Sequence, residues 1–443
     1  MSPDTTVPMQ GEGVRFGEMV SVFARIGVLS FGGPAGQIAL MHHELVEKRR
    51  WIGEADFLHG LNFCHLLPGP EAQQLATWIG WRLHGMRGGL VAGLLFVIPG
   101  AVIILALSML YAVAADLAWV AAVFLGVKAA VLAIVVQALM RIAGRALDTP
   151  LKRGLALGAF LGLFLFDLPF PLIVLGAGAI GVIAAAFRPG WLALKPAAAP
   201  SAPSRPPWRS TIGAAALWGT VWAAPMVLIA LTLGRDHVFW DIGVFFSQLA
   251  VVTFGGAYAV LAYMAQEAVQ SFGWLRPGEM ADGLGLAETT PGPLILVTQF
   301  VGYLAAFRAP DPFTPLVAGL LGAILTTWVT FAPCFMWIFA LAPWIDRLGH
   351  AARLKGGLAA VTAAVVGVIA NLTAWFALHV LFARVGERSF GPVRLDWPDI
   401  ASLDWRAAVL AVLAVLLAFR FGWSVLSILA LSAAGGVALA WAT

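Results

Sequence analysis

Residues 67–76 read Leu-Pro-Gly-Pro-Glu-Ala-Gln-Gln-Leu-Ala, inside an otherwise apolar run from 57 to 81. Pro68 and Pro70 stop a helix arriving from the N-terminal side, and Gly69 supplies the free backbone for a sharp turn. Proline is also well placed at the start of a helix, so a new one opens near Glu71. Earlier, Phe31-Gly32-Gly33-Pro34 interrupts the apolar run 16–40 in the same way. In lipid, the freed backbone groups are tolerated only where protein or a water-filled cavity receives them. Two broken apolar runs so close together are the mark of a membrane protein that uses its breaks.

Composition agrees. Of 443 residues, 60% are apolar and 11% charged, against roughly 45–50% and 25% in soluble domains. Mean hydropathy is +0.89. That excludes a soluble enzyme, a disordered chain and a nucleic-acid binder, and predicts an all-α polytopic membrane protein whose partner is the lipid bilayer. The net charge of +4 comes from short basic clusters between apolar runs, as in loops facing a cytoplasm. Met1 to Gly13 is polar and lacks the pattern of a signal peptide. Cys64 and Cys334 lie far apart and the eight histidines are scattered, so no disulfide framework, metal site or cofactor is expected.

Apolar segments fall at roughly 16–40, 57–81, 88–113, 118–140, 154–170, 171–187, 212–233, 239–263, 280–306, 314–343, 357–382, 406–419 and 424–441, which makes 13. Four are interrupted by glycine and proline. Taking each as a crossing puts 16 Lys and Arg on the N-terminal side and 9 on the other, with Arg25 and Lys128 inside spans. This favours a cytoplasmic N-terminus and a periplasmic C-terminus. The basic stretch His42 to Arg50 is the exception, and it changes sides if 16–40 re-enters. Arg188 to Ser210 reads as a proline-rich linker near the middle of the chain.

The chain also repeats itself. At an offset of 223 residues, positions 31–70 show 13 identities in 40, among them Phe31-Gly32-Gly33 on Phe254-Gly255-Gly256, Glu44 on Glu267 and Pro68-Gly69-Pro70 on Pro291-Gly292-Pro293. The predicted organisation is an N-terminal repeat over 1–187, a linker with a connecting helix over 188–238, and a C-terminal repeat over 239–443. Equivalent points are then separated by seven crossings, an odd number, so the repeats are inverted. Inverted repeats built from broken helices describe secondary transporters, with substrate held near the midplane at the repeat interface.

The residues that could carry chemistry cluster at the breaks. Half-helices opening at Pro34 and Pro70 present positive dipole ends and free amides to an anion. Gln73 and Gln74 add amide donors, while in the second repeat Glu71 is replaced by Leu294 and the glutamines by Leu296 and Val297. Arg25, about two turns before the first break, is an intramembrane cation suited to an oxyanion. Glu71 and Glu288, which replaces His65 in the second copy, are the candidates for proton exchange. Glu44 and Glu267 lie near segment ends, where a solvated carboxylate is the ordinary reading. Lys128 and Gln137 fit a structural or a gating role equally.

The strings F-G-G-P-A-G-Q-I-A-L-M-H-H-E-L-V-E-K-R-R-W-I and L-P-G-P-E-A-Q-Q-L-A-T-W-I-G-W together resemble the chromate ion transporter family, long two-domain type. The resemblance covers the whole chain and implies a bacterial inner-membrane carrier that expels chromate, a sulfate-like dianion, and confers resistance. It places the family motif on Phe31, Gly32, Gly33, Pro34, Gln37, Pro68, Gly69, Pro70, Glu71 and Gln74, with Gly255, Gly256, Pro291, Gly292 and Pro293 as the second copy. Trp78 stands where an aromatic residue, often tyrosine, is expected. The site expected on this basis lies between Arg25 and the half-helix starts after Gly33 and Pro68. A sulfate or other oxyanion carrier is the alternative. An intramembrane hydrolase would need a nucleophile–base pair or a metal cluster, and the sequence offers neither. Oligomeric state stays open.

Overall fold

The computed structural model describes residues 13–442 except 32, 116, 195–207, 255, 256, 277 and 392. Gly32, Gly255, Gly256 and most of the linker therefore lie outside the described residues. Helices form where the apolar runs are, because in lipid only intrahelical hydrogen bonds satisfy the backbone. Seven of the described helices are long and apolar enough to cross a bilayer.

The first repeat opens with α1 (Phe16–Leu29) and α2 (Gly33–His42), the latter continued by a π-helical turn (His43–Lys48). Next come α3 (Glu54–Cys64) and α4 (Glu71–Ala114), which breaks at His84 and Gly85. Then follow α5 (Ala118–Ala146), α6 (Pro150–Phe166) and α7 (Phe170–Phe187). The connecting helix is α8 (Trp208–Thr232). The second repeat runs α9 (Val238–Val252), α10 (Ala257–Gln266), α11 (Glu279–Thr289), α12 (Val297–Arg308) and α13 (Pro315–Leu341). After a short α14 (Ile345–His350) come α15 (Ala352–Leu381), a hairpin of β1 (Val385–Phe390) and β2 (Val393–Pro398), α16 (Trp405–Phe419) and α17 (Val425–Ala442).

The broken segments do not cross. Phe16 at the start of α1 packs edge-on against His84, 5.4 Å away. His42 bonds Glu54 at the start of α3, 2.6 Å, and Arg82 lies 3.9 Å from Asp56. The entrances and exits of α1–α2 and of α3 with the 71–83 arm of α4 thus lie together on one face. Both are re-entrant hairpins, with the tip of the first beside Ser30 and Phe31 and that of the second at 65–70. The second repeat does the same: His237 bonds the carbonyl of Asp311, 2.7 Å, and Arg308 pairs with Glu279, 2.7 Å.

The two sets enter from opposite faces. The 86–114 arm of α4 runs antiparallel to α13, with Gly89 against Phe339, and carries Tyr111 across to Asp282 of α11. Seven helices have the length and apolarity to cross, namely that arm of α4, α5, α7, α8, α13, α15 and α17. The helices α6 and α16, with 17 and 15 residues, are counted with them because they pack along α15 and α5, where Gly367 meets the Ala156 backbone and Gln137 donates to the Ala418 carbonyl. The expected 13 crossings are corrected to nine crossings and four hairpins, because two half-helices in series have the length and apolarity of one span. Equivalent points are five crossings apart instead of seven, still an odd number. Small residues let the crossing helices approach closely, as where Gly126 of α5 meets the backbone at Ser432 of α17.

Candidate functional site where the hairpin tips cross

The four tips meet in reciprocal pairs. The Gly292 amide donates to the Ser30 carbonyl, 2.9 Å, and the Gly69 amide donates to the Thr253 carbonyl, 2.8 Å. Ser30 and Thr253 are equivalent under the 223-residue offset, as are Gly69 and Gly292. Each PGP tip therefore bonds the carbonyl freed by the broken helix of the other repeat, which satisfies backbone groups that lipid could not. Ser30 and Thr253 turn their hydroxyls back to the carbonyls of Ile26 and Leu249, both at 2.6 Å. Gly69 and Gly292 have φ of +116° and +90°, a conformation that favours glycine.

Gln37 is fully enclosed and donates from Nε2 to the Gly292 carbonyl at 2.6 Å. Gln74 donates likewise to the carbonyl of Pro68, 2.6 Å. The carbonyl oxygens of Gln37, Gln73 and Gln74 are buried with no hydrogen-bond partner. Pro70 precedes α4 without a side-chain cap, so the amides of the first turn, at Glu71, Ala72 and Gln73, are the orphan donors of a helix start. Phe31, Gly33, Pro34, Pro68 and Pro70 are half-buried around the tips, while Pro291, Gly292 and Pro293 are buried. Glu71 sits 3.4 Å from His65, and Glu288 accepts a hydrogen bond from the Tyr258 hydroxyl at 2.5 Å.

Arg25 is not part of this arrangement. Its side chain is exposed on α1, on one stripe with Glu18 and Ser21, and it makes no hydrogen bond or ion pair among the described residues. The helix turns Val22, Phe23 and Ile26 inward instead. The expected convergence of a cation with the two breaks is corrected accordingly. Glu44 also departs from expectation: it is buried and paired with Arg49 and Lys48.

Sequence reading missed two features. One is an ion pair closing the mouth of each PGP hairpin, Asp56–Arg82 and Glu279–Arg308. The other is a difference between equivalent faces. On α3 and its C-cap, Asp56, His59, Asn62 and His65 are exposed; on α11, their counterparts Glu279, Asp282, Gly285 and Glu288 are buried. The i, i+3 spacing of polar residues was the available signal, but burial is not written in it.

Among the described residues, no group of His, Cys, Asp and Glu is placed to hold a metal ion. The chromate transporter family profile matches residues 17–182 and again 240–439. The chain is 32% identical over 435 residues to the chromate transport protein of Pseudomonas aeruginosa, covering 95% of each chain. It is 29% identical over 352 residues to that of Cupriavidus metallidurans, 80% of each. With the probable chromate transport protein of Synechococcus elongatus it shares 29% over 358 residues, 80% of this chain and 82% of the relative. No solved structure matches. With most of its length matched in two successive copies, the chain belongs to the chromate transporter family.

Proposed function

We propose that this protein exports chromate across the bacterial inner membrane and so confers chromate resistance, holding the dianion where the four tips cross. The single observation that carries this reading is the reciprocal bonding, in two pairs, of the broken-helix tips of one repeat to those of the other. Such a crossing offers one place reachable from either side in turn, with half-helix N-termini and side-chain amides aimed at it. Gln37 now spends its amide donor on the Gly292 carbonyl of the other repeat, and parting of the tips would release it to an oxyanion, whereas Gln74 bonds the Pro68 carbonyl within its own hairpin. Relatives named as chromate transport proteins support the substrate. Sulfate, similar in size and charge, is the second candidate.

With four hairpins, Lys48, Arg49 and Arg50 join the face of the N-terminus and Arg276 leaves it. The balance becomes 18 Lys and Arg against 7, which supports a cytoplasmic N-terminus and a periplasmic C-terminus. Moving one charge is worth roughly 2.3 kcal/mol per 100 mV, so expelling a dianion from a negative interior gains about twice that. Labelled chromate should enter everted vesicles, with the electrical potential and the pH gradient collapsed separately and sulfate added as competitor. Slowing by loss of the pH gradient alone would engage Glu71 and Glu288. Failure of chromate to move at any potential, with sulfate moving freely, would overturn the substrate.

Arg25, on a polar stripe leading from the cytoplasmic face toward the first break, attracts the anion without holding it. Arg25→Gln should therefore raise KM by about threefold, an effect that fades in high salt, and leave the maximal rate unchanged. A lost maximal rate would return Arg25 to the site itself.

A further inference from the structure

The second intramembrane cation has a different setting. Lys128, a few turns into α5, lies 3.3 Å from Asp282 of α11, with 28% of its side chain exposed against 4% for the aspartate. The Tyr111 hydroxyl, from α4, donates to the same oxygen, Oδ2, at 2.8 Å. The other oxygen, Oδ1, is buried and has no partner. One turn back on α11, Glu279 shows what a finished structural pair looks like. Arg308 grips both of its oxygens at 2.7 and 2.8 Å. The Arg276 amide adds a third bond at 2.7 Å, and Arg308 also reaches the Trp274 carbonyl at 2.6 Å. Asp282 is held by two donors converging on a single oxygen.

An ammonium and a hydroxyl converging on one oxygen would serve an oxyanion as well as a carboxylate. The location fits. Asp282 occupies the α11 position equivalent to His59 on the exposed stripe of α3, so it lines the approach to the tips from the opposite face. That approach is closed here, where the α11 stripe is buried. A cation within the bilayer is costly without a counter-ion, and while the path is shut the carboxylate supplies one.

We propose that Lys128 and Tyr111 form a second subsite for the transported tetrahedral dianion, on the far side of the tip crossing, and that Asp282 is the place-holder the dianion displaces. This rests on the transport reading above. The groups facing the site are Lys128 from α5, Tyr111 from α4, and Asp282 and Glu279 from α11, the last neutralised by Arg308 of α12.

The test is exchange of external labelled chromate into right-side-out vesicles preloaded with unlabelled chromate, and then with sulfate as probe. Lys128→Gln should raise the external KM by about tenfold and Tyr111→Phe by about threefold, whereas Asp282→Asn should lower it by several fold. The double variant should behave as Lys128→Gln. Opposite shifts on the two sides of one ion pair are the signature, because a purely structural pair loses function from either side. Parallel losses, or an Asp282→Asn variant with unchanged or raised KM, would overturn the subsite. A wild-type protein that exchanges sulfate but not chromate would overturn the proposed substrate while leaving the subsite testable with sulfate. Exchange of neither anion would overturn both.

Discussion

Gly100→Ala should cut transport by about tenfold or more while leaving the protein inserted and folded. Gly100 lies on the crossing arm of α4, where its Cα is 3.6 Å from the site a Cβ would take on Gly292. A Cβ on Gly100 itself would collide with the carbonyl oxygen of Pro291 and press on Leu296. Both sides of the first collision are backbone, so the PGP tip must move off. Moving it breaks the bonds that Gly292 makes to Ser30 and Gln37. Overpacking of this kind costs about 1–3 kcal/mol, and each 1.4 kcal/mol is a factor of about ten in a rate or population that needs the tips together. The control is Gly158→Ala on α6, where an added methyl meets nothing within 4 Å and a helical alanine is preferred. Vesicle uptake normalised to inserted protein checks the pair. Equal activity in both variants would mean that the tip crossing is not a working state.

How much of this the sequence carried depends on what each signal can encode. The breaks at Phe31–Pro34 and Pro68–Pro70 are legible because glycine and proline act on the backbone whatever surrounds them. The duplication is legible because identities at 223 residues need no structure to count. Re-entry is not, since 57–81 is as long and apolar as a true span. Its clue, Asp56 and Arg82 at the two ends of the run, becomes meaningful only when the ends meet. The orientation of Arg25 was equally hidden: an apolar segment says that a cation is inside the membrane zone, and one turn of helix decides which way it faces. Asp282 is hidden in the sequence for another reason. Its repeat partner is His59, so the position is polar in both copies but conserves neither charge nor identity, and the partners that matter, Lys128 and Tyr111, lie on other helices.

The two mouth clamps should respond very differently to the same chemical change. In the second repeat, Glu279 and Arg308 are largely enclosed, with 8% and 31% of their side chains exposed. In the first, Asp56 and Arg82 are open, at 57% and 40%. Removing one member of a buried pair leaves the other charge uncompensated, at about 3–5 kcal/mol, while exposed pairs contribute about 0–1 kcal/mol. Glu279→Gln should therefore collapse the yield of folded, monodisperse protein in detergent and sharply lower its melting temperature, because the carboxylate that both terminal guanidinium nitrogens of Arg308 grip loses its charge. Asp56→Asn should melt close to wild type. The comparison matters for transport as well as stability. A clamp that ties α11 to α12 makes the second PGP hairpin one rigid body, and a rigid hairpin can swing its tip without opening its own mouth. The looser first hairpin, whose α3 stripe is exposed, is free to bend instead. Similar melting temperatures for the two variants would remove that asymmetry, and with it the argument that the hairpins of the two repeats move differently.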